Sequence, residues 1–311
     1  MNAVDLRGAA LHAGGVDDDG WTATGLSPGE ATERYARAVG RPHVLVGRLA
    51  GGETGATEIR DEAGRSWVLK WDHDLATRAR RREGVELAER LRVDAGWPAP
   101  RQEVVEDDDW TFVVQELRPG EPVSRLSHAL VDELLRLHAA RLGLARSGDR
   151  DHWADDLTTT LTVGGRGYCL HEPLRTHDAR TRALVERIEC LGHELRPEAL
   201  PSRDIVHWDL HPGNLLQQRG WLSGVVDLDF VLVGDAAFDL VTLAMTSTAV
   251  EADPGVRSRL LAVALDDLDP ARRGAYVGHL LVRFLDWPIR RGRWDEVEMW
   301  LGHADRLLDG C

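Results

Sequence analysis

Residues 205–216 read IVHWDLHPGNLL, and residues 223–230 read SGVVDLDF. The first stretch places a carboxylate, Asp209, two residues after His207, and a carboxamide, Asn214, five residues further on. Pro212 and Gly213 let the intervening loop turn back sharply. The second stretch puts Asp227 and Asp229 at i and i+2, so on a strand both carboxylates would point to one face. Handling a phosphoryl group demands Mg²⁺ on oxygen ligands and a carboxylate that orients the attacking hydroxyl. One tight loop and one strand offer both kinds of group.

Outward from this stretch the pattern is β-rich first and helical later. Residues 1 to about 26 carry the acidic run Asp17, Asp18, Asp19 and read as an N-terminal extension. Ser27 and Pro28 then resemble a helix N-cap with proline at the first helical position, and Gly40 stops that helix. Strands are expected at 44–49, 56–60, 66–71, 102–106 and 110–115, with a charged helix over 77–92. A helix over 127–143 puts Leu130, Leu134, Leu137 and His138 on one face. Residues 147–177 read as less regular, 178–195 as a helix, and 205–207, 214–217 and 221–228 as short strands. From 235 to 309 the chain reads as helices. The expected fold class is α+β: a small antiparallel sheet with one inserted helix over 1–118 (extension about 1–40), then a larger, mainly helical part over 119–311.

Composition narrows the partners. The 311 residues carry 38 Lys+Arg and 52 Asp+Glu, a net charge of -14. That sign argues against nucleic acid or an anionic membrane and suits a cationic ligand. Three widely spaced cysteines without a CxxC pair argue against a disulfide framework and for a reducing, cytoplasmic setting. No signal peptide opens the chain, and no apolar run reaches the ~18 residues of a membrane span. Lys70 is the sole lysine among the 38 basic residues, and Asn2 and Asn214 are the only asparagines. Such a bias suggests a GC-rich genome, as in an actinomycete, and marks Lys70 and Asn214 as positions where a substitute failed chemically.

The H-x-D-x-x-x-x-N run followed by an aspartate-bearing strand resembles the catalytic and metal-binding segments of protein kinases. The spelling HxDLHPGN, then VVDxDxxxxGDxxxDL, is more similar to the aminoglycoside phosphotransferase and choline kinase branch, which phosphorylates small molecules. The resemblance covers roughly 44–290 and implies a two-lobed protein-kinase-like fold. It implies Asp209 as the base or orienting carboxylate, His207 as a support of the loop, and Asn214 and Asp227 as Mg²⁺ ligands, with Asp229 joining or backing the metal. Lys70, ending the strand WVLK, would grip the phosphates of ATP or GTP, with Glu83 as its partner on the next helix. Gly51 and Gly52 would cover phosphate or simply make a hairpin turn. The carbonyl of Gln115 and the amide of Leu117 would face the purine.

The acceptor is less legible. A small hydroxylated molecule, cationic or not, is implied, and Asp155, Asp156, Glu172, Asp286 and Trp287 are candidates to meet it, with Asp295 and Glu296 nearby in sequence. Asp235 and Asp239 are expected to anchor a helix near the catalytic loop, and His211 to brace the loop backbone. Trp208 stands where glycine is common in small-molecule kinases. The expected activity is transfer of a γ-phosphoryl group to a natural-product antibiotic (aminoglycoside-like, peptide or nucleoside), by a monomer or homodimer. A housekeeping kinase for an amino alcohol or sugar and a non-catalytic nucleotide-binding pseudokinase are the alternatives.

Overall fold

The computed structural model describes residues 25–49, 56–74, 77–165 and 167–308. Helix α1 (Pro28–Val39) is followed by strands β1 (His43–Leu49), β2 (Ala56–Asp61) and β3 (Ser66–Asp72). Next come α2 (Arg78–Val93), β4 (Gln102–Glu106), β5 (Thr111–Glu116), the short β6 (Glu121–Pro122) and β7 (Arg125–Leu126), and α3 (His128–Ala140). Helices α4 (Trp153–Thr162), α5 (His171–His177) and α6 (Ala179–Glu194) lead to strands β8 (Asp204–Val206), β9 (Leu215–Gln218), β10 (Trp221–Val225) and β11 (Leu232–Gly234). Helix α7 (Ala237–Thr246), β12 (Glu251–Ala252), α8 (Val256–Leu265), α9 (Pro270–Arg291) and α10 (Trp294–Leu308) complete the order. The expected loop at Gly51 and Gly52, and most of the expected extension, lie outside the described residues.

One compact unit takes the chain up to Arg141 together with Asp209–Val231 and Ala249–Asp253. Its centre is an antiparallel five-stranded sheet in the order β1-β2-β3-β5-β4. Helix α1 begins with a capping box, in which Ser27 Oγ accepts the Glu30 amide and the Glu30 carboxylate accepts the Ser27 amide. Ala31 and Tyr35 of α1 pack on Ile59, Leu69, Trp71, Phe112 and Val114. Because side chains alternate along a strand, that packing sends Lys70, paired across the ladder with Val113, to the opposite face. A second sheet, β10-β9-β6, contains a hairpin turned by Arg219 (φ 53°) and Gly220 (φ 84°). Two positive-φ residues match the twist of a tight hairpin. The pairing extends below β9, where the Val226 amide donates to the Asn214 carbonyl at 2.9 Å.

The other unit takes Leu142–Trp208, Leu232–Thr248 and the chain from Pro254 onward. Here β8 and β11 pair antiparallel, Leu232 opposite Val206. Helix α9 starts at Asp269, whose side chain accepts the Arg272 amide, and ends at Gly292 with φ 67°. Its middle is buried on nearly every side, from Gly274 to Asp286. Trp153, Trp208, Phe238, Tyr276 and His279 form an aromatic cluster of edge-to-face and stacked rings. Gly234 is required there, since a Cβ would stand 2.5 Å from the Trp153 ring.

Two expectations need correction. Residues 147–177 are not irregular: Trp153, Leu157, Thr160 and Leu161 make a buried helical face, and α5 follows. Gly164 and Gly165 between the two helices break the period that a sequence window would detect. Strand β10 also stops at Val225, and Asp227 adopts φ 62°, so the DLD segment is a turn rather than a strand.

Candidate active site

The only lysine lies at the centre of the charged groups. Lys70 Nζ donates to Asp227 Oδ1 at 2.7 Å and to Asp229 Oδ2 at 2.9 Å. Its side chain is 15% exposed and that of Asp229 6%. Burial alone would push the lysine pKa down, but the two carboxylates outweigh it and hold the ammonium above its ordinary value. The convergence of both carboxylates comes from the left-handed turn at Asp227 rather than from strand alternation.

Lys70 is held by the two aspartates and not by Glu83, which lies half-buried on α2. The residue of α2 that reaches this network is Arg81, which contacts Asp229 Oδ2 at 3.3 Å and Asp72 Oδ2 at 3.2 Å. Sequence reasoning missed Arg81 because it sits in a run of arginines, RARRRE, that reads as a solvated face. At Gly84 helix α2 lies close to the turn, where an added Cβ would meet the Val231 carbonyl at an ordinary contact distance of 3.6 Å.

The loop between Asp209 and Asn214 belongs to the same unit. Asn214 Nδ2 donates to the Asp209 carbonyl at 2.9 Å, which ties the ends of the loop together. His211 Nδ1 accepts the Gly213 amide at 3.0 Å, bracing the turn as expected, and His211 Nε2 lies 3.7 Å from Asp209 Oδ2. The bond from Val226 to the Asn214 carbonyl sets Asn214 one residue from Asp227 across the hairpin.

Upstream, the loop entry is fixed inside the other unit. His207 is fully buried. The buried carboxylate of Asp239 accepts the His207 amide at 2.7 Å and the Trp208 amide at 2.9 Å. Asp239, expected to anchor a helix near this loop, instead holds the loop backbone itself from its place on α7. Asp235 likewise holds structure, bound to Arg272 and, at 2.6 Å, to the Tyr276 hydroxyl. Asp204, unnoticed in the sequence, accepts the Gly143 amide at 2.7 Å and the Ala236 amide at 3.1 Å.

The remaining candidates divide. Gln115 lies near the end of β5, opposite Val68 and Gln102. The Leu117 amide, expected to face a purine, donates to the Ser66 carbonyl at 3.3 Å. Asp155 and Asp156 occupy the first turn of α4, Asp155 exposed and Asp156 half-buried, and Glu172 is exposed on α5. Asp286, expected as an acid open to substrate, is instead 1% exposed and bidentate with Arg290 at 2.7 and 2.9 Å. Trp287 carries Arg291 over its ring at 4.4 Å. Periodicity on a 22-residue buried helix could not show that Asp286 faces inward to a basic partner.

The oxygen set suits Mg²⁺. Among the described residues no three His, Cys, Asp or Glu side chains form a ready metal cage. Magnesium does not need one, since it keeps water and takes one or two carboxylates plus substrate phosphates. Asp229 Oδ1 is buried without a hydrogen-bond partner. The Asn214 amide nitrogen is spent on Asp209, which directs its oxygen elsewhere. A buried carboxylate oxygen without a donor is the kind of group a cation satisfies.

The model of the phosphotransferase enzyme family matches residues 46–276. Comparison with curated proteins by sequence finds no match. Among solved structures, aminoglycoside phosphotransferase APH(4)-Ia is similar at a TM-score of 0.59 and 16% identity, over 90% of this chain and 98% of that one. The amicoumacin kinase hAmiN, in complex with AMP-PNP, Ca²⁺ and Ami, gives a TM-score of 0.54 at 18% identity, covering 85% of this chain and 88% of its own. A putative fructosamine-3-kinase from Thermobifida fusca YX-ER1 gives 0.55 at 17%, covering 91% and 100%. At such identities the likeness establishes the fold, which is kinase-like.

Proposed function

The chain belongs to the phosphotransferase enzyme family, and from that premise we propose that it moves the γ-phosphoryl group of ATP or GTP onto a hydroxyl of a small molecule. The observation that carries this reading is the grouping of Lys70 with Asp227 and Asp229, one oxygen of Asp229 lacking a donor. Asn214, Asp227 and Asp229 are the residues that would hold Mg²⁺, which when bound neutralises charge on the β- and γ-phosphate oxygens. Lys70 would give part of its hydrogen bonding to the α- and β-phosphates, while Arg81 keeps Asp229 in place.

Asp209 aligns the acceptor hydroxyl in line with the γ-phosphorus. As the new O–P bond forms and the bond to the β–γ bridging oxygen breaks, the hydroxyl proton passes to the Asp209 carboxylate and the nucleoside diphosphate leaves. In a loose transition state this transfer is late, so positioning and charge neutralisation supply most of the acceleration.

For the acceptor we favour a natural-product antibiotic of aminoglycoside-like, peptide or nucleoside type. The net charge of -14 and the antibiotic kinases of the same fold support that choice. The test is mass spectrometry after incubation with Mg²⁺, ATP or GTP, and a panel of hydroxylated antibiotics, amino alcohols, sugars and fructosamines. One added phosphoryl group on an antibiotic, absent with Asp209→Asn, is the expected result. Product only from a metabolite overturns the antibiotic assignment. Nucleotide binding without product from the whole panel favours the pseudokinase.

A further inference from the structure

Trp208 immediately precedes Asp209 and has φ 75°. That backbone conformation strains any residue with a Cβ, whereas glycine takes it freely. If residue 208 relaxed to negative φ, the chain would enter Asp209 in a different direction. The structure holds Trp208 by each of its groups. Its amide donates to Asp239 Oδ1 at 2.9 Å, and its carbonyl accepts from Arg283 Nη1 at 3.1 Å. The indole Nε1 lies 3.3 Å from the Tyr168 hydroxyl. The indole stacks on Phe238 at 5.0 Å and 20°, and it makes an edge-to-face pair with His279 at 4.8 Å and 73°.

His279 is the unexpected member of this cluster. It is fully buried on α9, and neither ring nitrogen has a hydrogen-bond partner. An apolar side chain would fill the same space without desolvating two polar atoms. What an imidazole adds is a polar ring, here packed edge-to-face with the rings of Trp208 and of Phe238, the latter at 5.3 Å and 79°. Burial, then the nearby Arg283 guanidinium, pushes its pKa down to about 3, so the ring stays neutral. Arg283 follows one turn later on the same helix face. One face of α9 therefore addresses both the side chain and the carbonyl of Trp208.

We propose that His279 and Arg283 are positioning residues for Asp209, acting through Trp208. They hold residue 208 in its left-handed conformation and so set the point from which the carboxylate leaves the loop. The functional meaning rests on the role of Asp209 proposed above, while the conformational claim stands by itself.

The experiment compares Trp208→Ala with Trp208→Gly in the full chain. Hydrogen exchange is followed by mass spectrometry over 205–216, and turnover and KM are measured with Mg-ATP alone. Trp208→Ala removes the packing and keeps the strain; Trp208→Gly removes both. Exchange in Trp208→Ala is expected to be about tenfold faster than in Trp208→Gly, with turnover lower by a similar factor and KM for ATP unchanged. A mere filler role predicts the reverse order, because glycine leaves the larger cavity; equal or reversed exchange overturns the proposal.

His279→Leu decides the matter should both tryptophan variants fail to fold. Its thermal midpoint should equal or exceed that of the unsubstituted protein, since two unpaired polar atoms are gone. Exchange over 205–216 should nonetheless rise, and turnover fall, by about two- to fivefold. Unchanged exchange counts against the proposal. The predicted exchange pattern in a protein that never turns over ATP supports the positioning and removes only the functional reading.

Discussion

Lys70 Nζ lies 2.9 Å from Asp229 Oδ2, across 159 residues of sequence, and Arg81 reaches the same oxygen at 3.3 Å. Asp229 is therefore shared by two cations on one side while its other oxygen has no donor. A carboxylate held this way is aimed rather than free, and it ties β3 and α2 to the DLD turn.

Removing the lysine takes a shared cation from two close carboxylates and leaves Asp229 with Arg81. Lys70→Met is expected to destabilise the protein by about 3 kcal/mol, since breaking one side of a largely buried pair strands the other. Thermal unfolding checks this. The folded ammonium is held above the ordinary lysine value of 10.5, so its contribution is complete below that pH and is lost as pH rises beyond it. The alkaline limb of stability should accordingly be shallower in Lys70→Met.

Arg81→Met separates aiming from charge. Asp229 keeps Lys70 but loses its tie to α2, so the metal requirement should rise while the fold persists. Titrating Mg²⁺ at fixed ATP is the measurement, and an unchanged half-saturation would show that Arg81 serves α2 and Asp72 alone.

Asp239 holds two consecutive loop amides with its two oxygens. Asp239→Ala strands both donors in the interior and should cost about 2–4 kcal/mol. Asp239→Asn keeps one acceptor and should fall between. Denaturant midpoints rank the three proteins, and turnover should fall in the same order.

Asp209→Asn should reduce turnover by about 10²–10⁴-fold while ATP binding, read by calorimetry, stays near that of the unsubstituted protein. Equal turnover would refute the assignment of the carboxylate.

The acid limb has a separate origin in the β2–β3 turn. Desolvation would raise the Asp61 pKa, but the Arg65 amide, the Trp67 indole and the Arg65 guanidinium together outweigh it and bring it to about 2. A depressed carboxylate contributes stability above its unfolded value of 3.8, and that contribution is lost as pH falls toward 2. Asp61→Asn should flatten stability over that range, as followed by acid unfolding.

Much of this was legible in one dimension because it is local. The HxDLHPGN spacing is a property of a single loop, and His211 and Asn214 brace that loop from within six residues. Strands β1 to β5 read as short runs between turns, and the helix stop at Gly40 is visible as a residue. The α4 helix was hidden by a break at Gly164 and Gly165, and the inward turn of Asp286 by burial on all sides of α9.

The sequence by itself determined the chemistry on offer: one lysine, one internal asparagine, three aspartates near them in two motifs, and the family that spells them this way. Only the tertiary structure decided which groups meet. It brought Arg81 to Asp229, gave Lys70 two aspartates as partners, turned Asp227 through a left-handed conformation so that two carboxylates share one ammonium, and placed His279 against Trp208. These choices depend on close approach between segments far apart in the chain. Periodicity reports which face a residue occupies, but not which distant side chain is packed against it.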